Sequence, residues 1–216
     1  MTPKKEYKNL LKGKKVAIVG PAKSLEGTAR GSYIDSHDYV VRINYAKIKS
    51  TQDAGSRTDI IYYDGSHHDY SHCKPWILVC SYPETEWFYN SRCIHTVNYY
   101  KNIYDHYTVD SKLYNELKKD LSEKMNVRPN SGTIAIVDLL NSGVSKLYVT
   151  GIDFYRSSYL DTHPDYGSKS LEEINNIFKK GDNGDYHDTE AQFEYFKNLI
   201  KKEKRLEVDS FLKKII

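Results

Sequence analysis

Cysteine is scarce in this chain. Cys73, Cys80 and Cys93 are an odd number at spacings of seven and thirteen, which gives neither a disulfide framework nor a CxxC pair, and they read as reduced thiols. Long apolar runs are lacking as well, so a transmembrane class is excluded. Residues 1–15 hold six lysines and no apolar core, so neither a secretory signal nor a membrane anchor is expected, and a cytoplasmic location follows. An excess of one charge is nearly absent. The 32 Lys+Arg against 29 Asp+Glu leave +3, too little to argue for nucleic acid as a partner, although a small polyanionic ligand stays open. Internal repeats and low-complexity linkers are missing too, so residues 1–216 are expected to form a single domain.

Present instead are 39% hydrophobic and 28% charged residues, the balance of a soluble globular chain, and 20 tyrosines that can pack their rings while their hydroxyls bind sugars or phosphates. Short apolar runs at Lys15–Val19, Tyr39–Ile43, Asp59–Tyr63, Trp76–Cys80 and Lys146–Thr150 read as buried strands. Thr133–Asn141, apolar on nearly every side and closed by Gly143, reads as a buried helix feeding the last of them. A second helix follows Asp188, with Phe193, Phe196, Leu199 and Ile200 on one face and capping-box spacing from Thr189 to Gln192. Alternation of this kind predicts a Rossmann-like α/β fold: a mostly parallel sheet covered on both faces, with ligands outside the carboxyl ends of the strands. The polar segment 155–184, with one short helix around Leu171–Phe178, is a candidate lid. The basic ends, 1–14 and 211–216, read as solvated faces or as a weak peripheral membrane contact.

The first strand runs into Gly20-Pro21-Ala22-Lys23-Ser24-Leu25, where phosphate-binding turns sit, yet neither GxGxxG nor GxxxxGK[ST] is met. The longer string is more telling: Gly20, Ser24-Leu25, Gly31, Ile34-Asp35-Ser36-His37-Asp38, Val41-Arg42-Ile43-Asn44, Ala46, then Asp53, Gly55 and Arg57-Thr58-Asp59. It resembles the large sialylmotif of glycosyltransferase family 29, and Pro129-Asn130-Ser131-Gly132-Thr133-Ile134-Ala135 resembles that family's small sialylmotif. Asn126-Val127-Arg128, Ser131-Gly132, Gly151-Ile152-Asp153-Phe154-Tyr155 and Ser157-Ser158-Tyr159 are similar to bacterial sialyltransferases of family 42, with two residues fewer between the blocks. Tyr186-His187-Asp188 is similar to the catalytic-histidine segment of both. The ordered set covers roughly residues 15–210. It implies metal-independent transfer, with inversion, of a sugar from a CMP donor.

The residues support such chemistry on their own terms. Ser131, Gly132 and Thr133 at a helix start offer amides and hydroxyls to a phosphate or sugar carboxylate, and Arg128 can pair with a carboxylate. Asn44 offers a donor and an acceptor at a strand end, where it could equally form an Asx turn. His187 is the candidate general base and Tyr155 and Tyr159 the candidate donors to a departing phosphate. Gly20, Ala22, Lys23, Ser24, Asp64, Asn130 and Asp153 complete the expected donor-binding set.

Three departures from the resembled families stand out. Pro21-Ala22-Lys23 replaces a small polar residue, so that phosphate contact would come from the backbone or Lys23. Asp64 stands where family 42 has asparagine, and the glutamate of family 29 five residues beyond the histidine is Gln192 here. His67-His68-Asp69 with His72-Cys73 is a metal candidate by His68/His72 spacing, but no second pair completes a tetrahedral set, so no metal or other cofactor is expected. His163 matches the histidine of a third family-29 motif or is a loop residue. The expectation is a sialyltransferase using CMP-sialic acid and a glycan acceptor. Alternatives are CMP-Kdo as donor, or a catalytically silent glycan- or nucleotide-binding module of the same fold.

Overall fold

The computed structural model describes residues 4–45, 47–86, 89–121, 128–180 and 187–216. Seven strands form one all-parallel sheet: β1 (Lys15–Val19), β2 (Tyr39–Ile43), β3 (Ile60–Tyr63), β4 (Ile77–Cys80), β5 (Asp105–Thr108), β6 (Lys146–Thr150) and β7 (Leu206–Val208). Their order is β5-β4-β3-β2-β1-β6-β7. The chain therefore walks from β1 to one edge and returns to the other side of β1, and this reversal opens a crevice beyond the carboxyl ends of β1 and β6.

Side chains alternate across the sheet, as the strand period requires. Val16 and Ile18 of β1 enter the larger core with Ile61, Ile134 and Leu139, while Ala17 and Val19 enter a smaller one with Leu25, Ile34 and Leu160. Both faces are covered, so the strands read as continuous apolar runs rather than alternating ones. The helices are α1 (Lys4–Leu11), α2 (Gly31–Asp35), α3 (Thr51–Ala54), α4 (Ile94–Tyr100), α5 (Ser111–Leu121), α6 (Ser131–Asn141), α7 (Leu171–Lys180), α8 (Thr189–Lys202) and α9 (Ser210–Ile215). A 3-10 turn (Lys23–Leu25) follows β1.

Helix α6 begins two residues earlier than expected, because Asn130 caps it by accepting from the Thr133 amide at 2.8 Å. Its end is the expected one, with Gly143 in the left-handed region at φ 77°. The capping box expected at α8 is absent. Asp188 is the N-cap, accepting from the Ala191 amide at 2.9 Å, and this frees Gln192 for a longer-range role. The short helix expected in the polar segment is α7.

Much of the large motif is scaffold. Asp35 accepts from the Ser56 and Arg57 amides, while Arg57 donates to the carbonyls of Asp35, His37 and Asp38 and to the Asp59 carboxylate. Arg42, 3% exposed, binds the carbonyls of Ala54, Gly55 and Arg57. A Cβ on Gly31 would sit 1.8 Å from the Thr51 carbonyl oxygen, so only glycine lets α2 pack on α3.

Candidate donor-binding site

A cavity sits in the crevice predicted by the strand order. Pro21 and Ala22 line it from the end of β1, Ile43 and Asn44 from β2, Asn130, Ser131 and Gly132 from the start of α6, and Gly151–Tyr155 and Ser157–Tyr159 from the segment after β6. Of the sequence-predicted residues, Ala22, Asn44, Asn130, Ser131, Gly132, Asp153, Tyr155 and Tyr159 meet here.

The amides of Ser131 and Gly132 lie in the first turn of α6, where no upstream helical carbonyl can accept from them. They face the cavity with the positive end of the helix behind them. Thr133 does not join them. Its amide is spent on the Asn130 side chain and its hydroxyl on Gln192 Oε1, each at 2.8 Å.

The turn after β1 corrects a second expectation. The amides of Ala22, Lys23 and Ser24 donate to the Gly151 carbonyl (3.0 Å), the Ser158 carbonyl (2.8 Å) and the Ser157 hydroxyl (3.2 Å), so none is offered to a phosphate. Lys23 and Ser24 are not among the lining residues. Gly20 serves close packing, since a Cβ there would lie 2.2 Å from the Gly151 carbonyl oxygen. The turn after β1 is thus stapled to the segment after β6.

Asn44 takes φ 52°, a conformation asparagine tolerates, and its Oδ1 accepts from the Asp64 amide at 3.1 Å. Asp64 itself stands behind Asn44 rather than in the cavity. Its carboxylate accepts from the Ser66 amide (2.9 Å) and faces His68 Nε2 at 3.5 Å. Burial raises its pKa, but His68 and Ser66 outweigh burial and hold it below the ordinary value. Asp153 is 3% exposed and binds the Ser157 hydroxyl and the Arg156 amide. Burial pushes its carboxyl up, against those hydrogen bonds.

Phe154 and Tyr155 follow with φ 54° and 64°, two consecutive left-handed residues that turn the chain sharply. The Tyr155 and Tyr159 rings meet edge to face with centres 6.2 Å apart, and Tyr159 and Asn130 act on the Tyr155 phenol to oppose the effect of its burial. Burial raises both phenols, so they remain protonated donors at neutral pH. Phe178 of α7 packs 4.5 Å from Tyr155, ring centre to ring centre, and 5.6 Å from His187.

His187 Nδ1 lies 2.8 Å from the Arg128 carbonyl oxygen and donates to it, which leaves the lone pair of the neutral imidazole on Nε2. His187 is not among the lining residues; it stands beside the cavity, packed on Phe178, which packs on Tyr155, and bonded to Arg128, two residues before Asn130. The Arg128 guanidinium stacks over Tyr82 at 5.6 Å and does not line the cavity. Tyr186, Asn126 and Val127 of the matched segments lie outside the described residues, as do Ala46 and residues 181–184 of the candidate lid. The described part of that lid is strapped down by Arg156 to Glu190, Tyr45 to Asp165 and Lys49 to Asp161.

The histidine cluster is dispersed. His68 is buried against Tyr45 and Asp64, His67 stacks on Tyr100, and His72 is exposed. Among the described residues no three His, Cys, Asp or Glu side chains are grouped to hold a metal. His163 lines an adjoining cavity with Tyr45 and Lys47. Its Nδ1 accepts from the Asp165 and Tyr166 amides, and burial lowers its pKa to about 4. Two features escaped the sequence reading: the Gln192 link and the ring of Phe178. The first was hidden behind its capping-box spacing and the second lay in a polar segment.

Residues 3–86 match the model of glycosyltransferase family 29 (sialyltransferase). Comparison with curated proteins gives no match. Among solved structures, a mammalian sialyltransferase superposes with a TM-score of 0.60 at 16% identity, covering 93% of this chain and 70% of that one. The monofunctional alpha-2,3-sialyltransferase Cst-I from Campylobacter jejuni gives 0.60 at 17%, covering 91% and 75%. The sialyltransferase CstII from Campylobacter jejuni, in complex with the substrate analogue CMP-3FNeuAc, gives 0.57 at 20%, covering 90% and 81%. The resemblance read from the motifs therefore holds in the family model over the first strands and in the fold over nine-tenths of the chain. Among the described residues no helix is long and apolar enough to cross a membrane.

Proposed function

We propose that this protein is a CMP-sugar glycosyltransferase that moves sialic acid from CMP-sialic acid to a glycan hydroxyl, with inversion and without a metal. The observation that carries the reading is one cavity lined by the first turn of α6 and by Tyr155 and Tyr159, with His187 beside it, linked through Phe178 to Tyr155 and through its Nδ1 to the Arg128 carbonyl. The family-29 match over residues 3–86 supports the same class. Related folds have been solved with CMP and a trisaccharide acceptor, and with Gal-beta-1-3GalNAc-ortho-nitrophenol, which supports a nucleotide-sugar donor and a glycan acceptor here.

In this reading the amides of Ser131 and Gly132 hold an anionic group of the donor. His187 Nε2 takes the proton of the acceptor hydroxyl as its oxygen bonds to the anomeric carbon. The bond from that carbon to the phosphate oxygen breaks on the opposite side, and the negative charge on departing CMP is met by the neutral O–H donors of Tyr155 and Tyr159. The test is release of CMP from CMP-sialic acid and from CMP-Kdo, with EDTA present, alongside thermal protection by CMP. Transfer from the sialyl donor is expected. Transfer from CMP-Kdo alone would reassign the sugar, CMP binding without turnover would mark a silent module, and loss of activity on chelation would refute metal independence.

A further inference from the structure

We infer that Gln192 is a positioning residue that locks the anion-binding turn of α6 to the entry of α8, and that its being an amide rather than a carboxylate keeps a buried negative charge away from the donor. The inference rests on the sialyl-transfer reading and goes beyond it.

The Gln192 side chain is 0% exposed. Its Oε1 accepts from the Asn130 amide and from the Thr133 hydroxyl, both at 2.8 Å. Its Nε2 reaches back to the Asp188 carbonyl at 3.4 Å. One amide thereby joins three points: both ends of the turn Asn130–Thr133, and the cap residue that follows His187. A second strut, His187 Nδ1 to the Arg128 carbonyl, runs parallel to it. Between the two struts the turn cannot shift without moving the histidine.

The choice of amide has a chemical reason. A glutamate could accept the same two hydrogen bonds but could not donate to the Asp188 carbonyl while ionised. It would also bury a full charge one hydrogen bond from Asn130, beside the two amides that face the cavity, opposing any phosphate or carboxylate there. Where the resembled family carries glutamate, this chain has a neutral strut, so its histidine and its donor turn are coupled without charge.

The experiment compares wild type with Gln192→Leu, Gln192→Glu and Thr133→Val. CMP affinity is titrated between pH 5.5 and 8, kinetics are split into KM and kcat, and hydrogen exchange of the Asn130 amide is followed without nucleotide. Gln192→Leu should speed that exchange and, by loosening the turn rather than removing a ligand contact, raise the donor KM by about tenfold with a smaller effect on kcat. Gln192→Glu should bind CMP weakly at pH 8 and approach wild type toward pH 5.5, because burial at this position raises a carboxyl above its ordinary range, so that acid renders it neutral and able to donate. A merely structural role would give no such pH-dependent rescue. Should Gln192→Leu fail to fold, Thr133→Val removes one bond from the other side and must weaken CMP in the same direction. Wild-type exchange together with variant CMP affinities that follow the wild-type pH profile would overturn the inference. If wild type itself does not bind CMP, the transfer reading fails, and the exchange data still decide whether the strut exists.

Discussion

Lowering the pH from 7 to 4 is expected to remove about 3 kcal/mol of folding stability through His106 alone. This imidazole lies in β5, is 3% exposed, and has Nε2 2.6 Å from the Tyr63 hydroxyl. Burial, with Lys101 adding to it, lowers its pKa from 6.5 to about 3. The native state therefore binds the proton more weakly than the unfolded chain. Stability from this group is full above 6.5, declines as the pH falls, and is lost once the pH passes below about 3. Each pH unit inside that window costs at most about 1.4 kcal/mol, which gives about 3 kcal/mol by pH 4. His163, lowered to about 4 by burial, acts in the same direction over a window that closes at about 4. Together they are a large share of a typical stability of about 5–15 kcal/mol. The assay is urea unfolding from pH 4.5 to 7.5 for wild type and His106→Gln, where glutamine keeps a partner for Tyr63 and cannot titrate. The variant's stability should fall less steeply with acid, by up to about 1.4 kcal/mol per pH unit. Parallel curves would refute the reasoning, since every other titrating group is common to both proteins.

Removing the base in His187→Ala should leave thermal protection by CMP in place and lower transfer by about 10²–10⁴-fold, and near-wild-type transfer would end the general-base role. Tyr155→Phe and Tyr159→Phe should each slow turnover by an amount equivalent to about 1–3 kcal/mol without unfolding the protein; wild-type rates in both singles and the double would end the leaving-group role. Gly20→Ala drives a Cβ to 2.2 Å from the Gly151 carbonyl oxygen, so its melting temperature by circular dichroism should fall sharply, whereas an unchanged one would show that the two turns can part.

The strands that carry the site were legible because they are buried on both faces. β1, β2 and β6 run over the residues that the apolar runs marked, and β3 and β4 begin one residue later. Asp59 and Trp76 stand just ahead of those strands and still bond through their backbones, the Asp59 amide to the Val40 carbonyl and the Trp76 amide to the Asp59 carbonyl, so the difference is one of strand ends. The two edge strands went unread. β5 is Asp-His-Tyr-Thr and β7 is Leu-Glu-Val, too short and too polar for an apolar pattern to show. At the site, Asn130, Ser131 and Gly132 could be placed because a helix start follows from local sequence. The fate of the amides of residues 22–24 could not, because it depends on Gly151, Ser157 and Ser158, about 130 positions along the chain. Thr133 was misread for the same reason: Gln192, which takes its hydroxyl, is 59 residues away.

The cavity's charge leads to one more expectation. Among the described residues no lysine or arginine lines it: Lys23 lies outside it and Arg128 stacks on Tyr82. On the proposed reading, attraction for an anion comes from the amides at the start of α6, from hydroxyls and from neutral phenols. The one acid in the lining, Asp153, is shifted toward its neutral form by burial. Hydrogen-bond donors at contact distance are poorly screened by salt, whereas an ion pair open to solvent is strongly screened. CMP affinity titrated at 0.05 and 0.5 M NaCl should therefore change by less than about fivefold, the worth of about 1 kcal/mol for a single solvated ion pair. A tenfold or greater loss would require a cation to reach the ligand. Repeating the titration with Lys23→Gln and Arg128→Gln would then show which side chain supplies it: the variant that abolishes the salt dependence would replace the neutral cradle of α6 as the source of phosphate affinity.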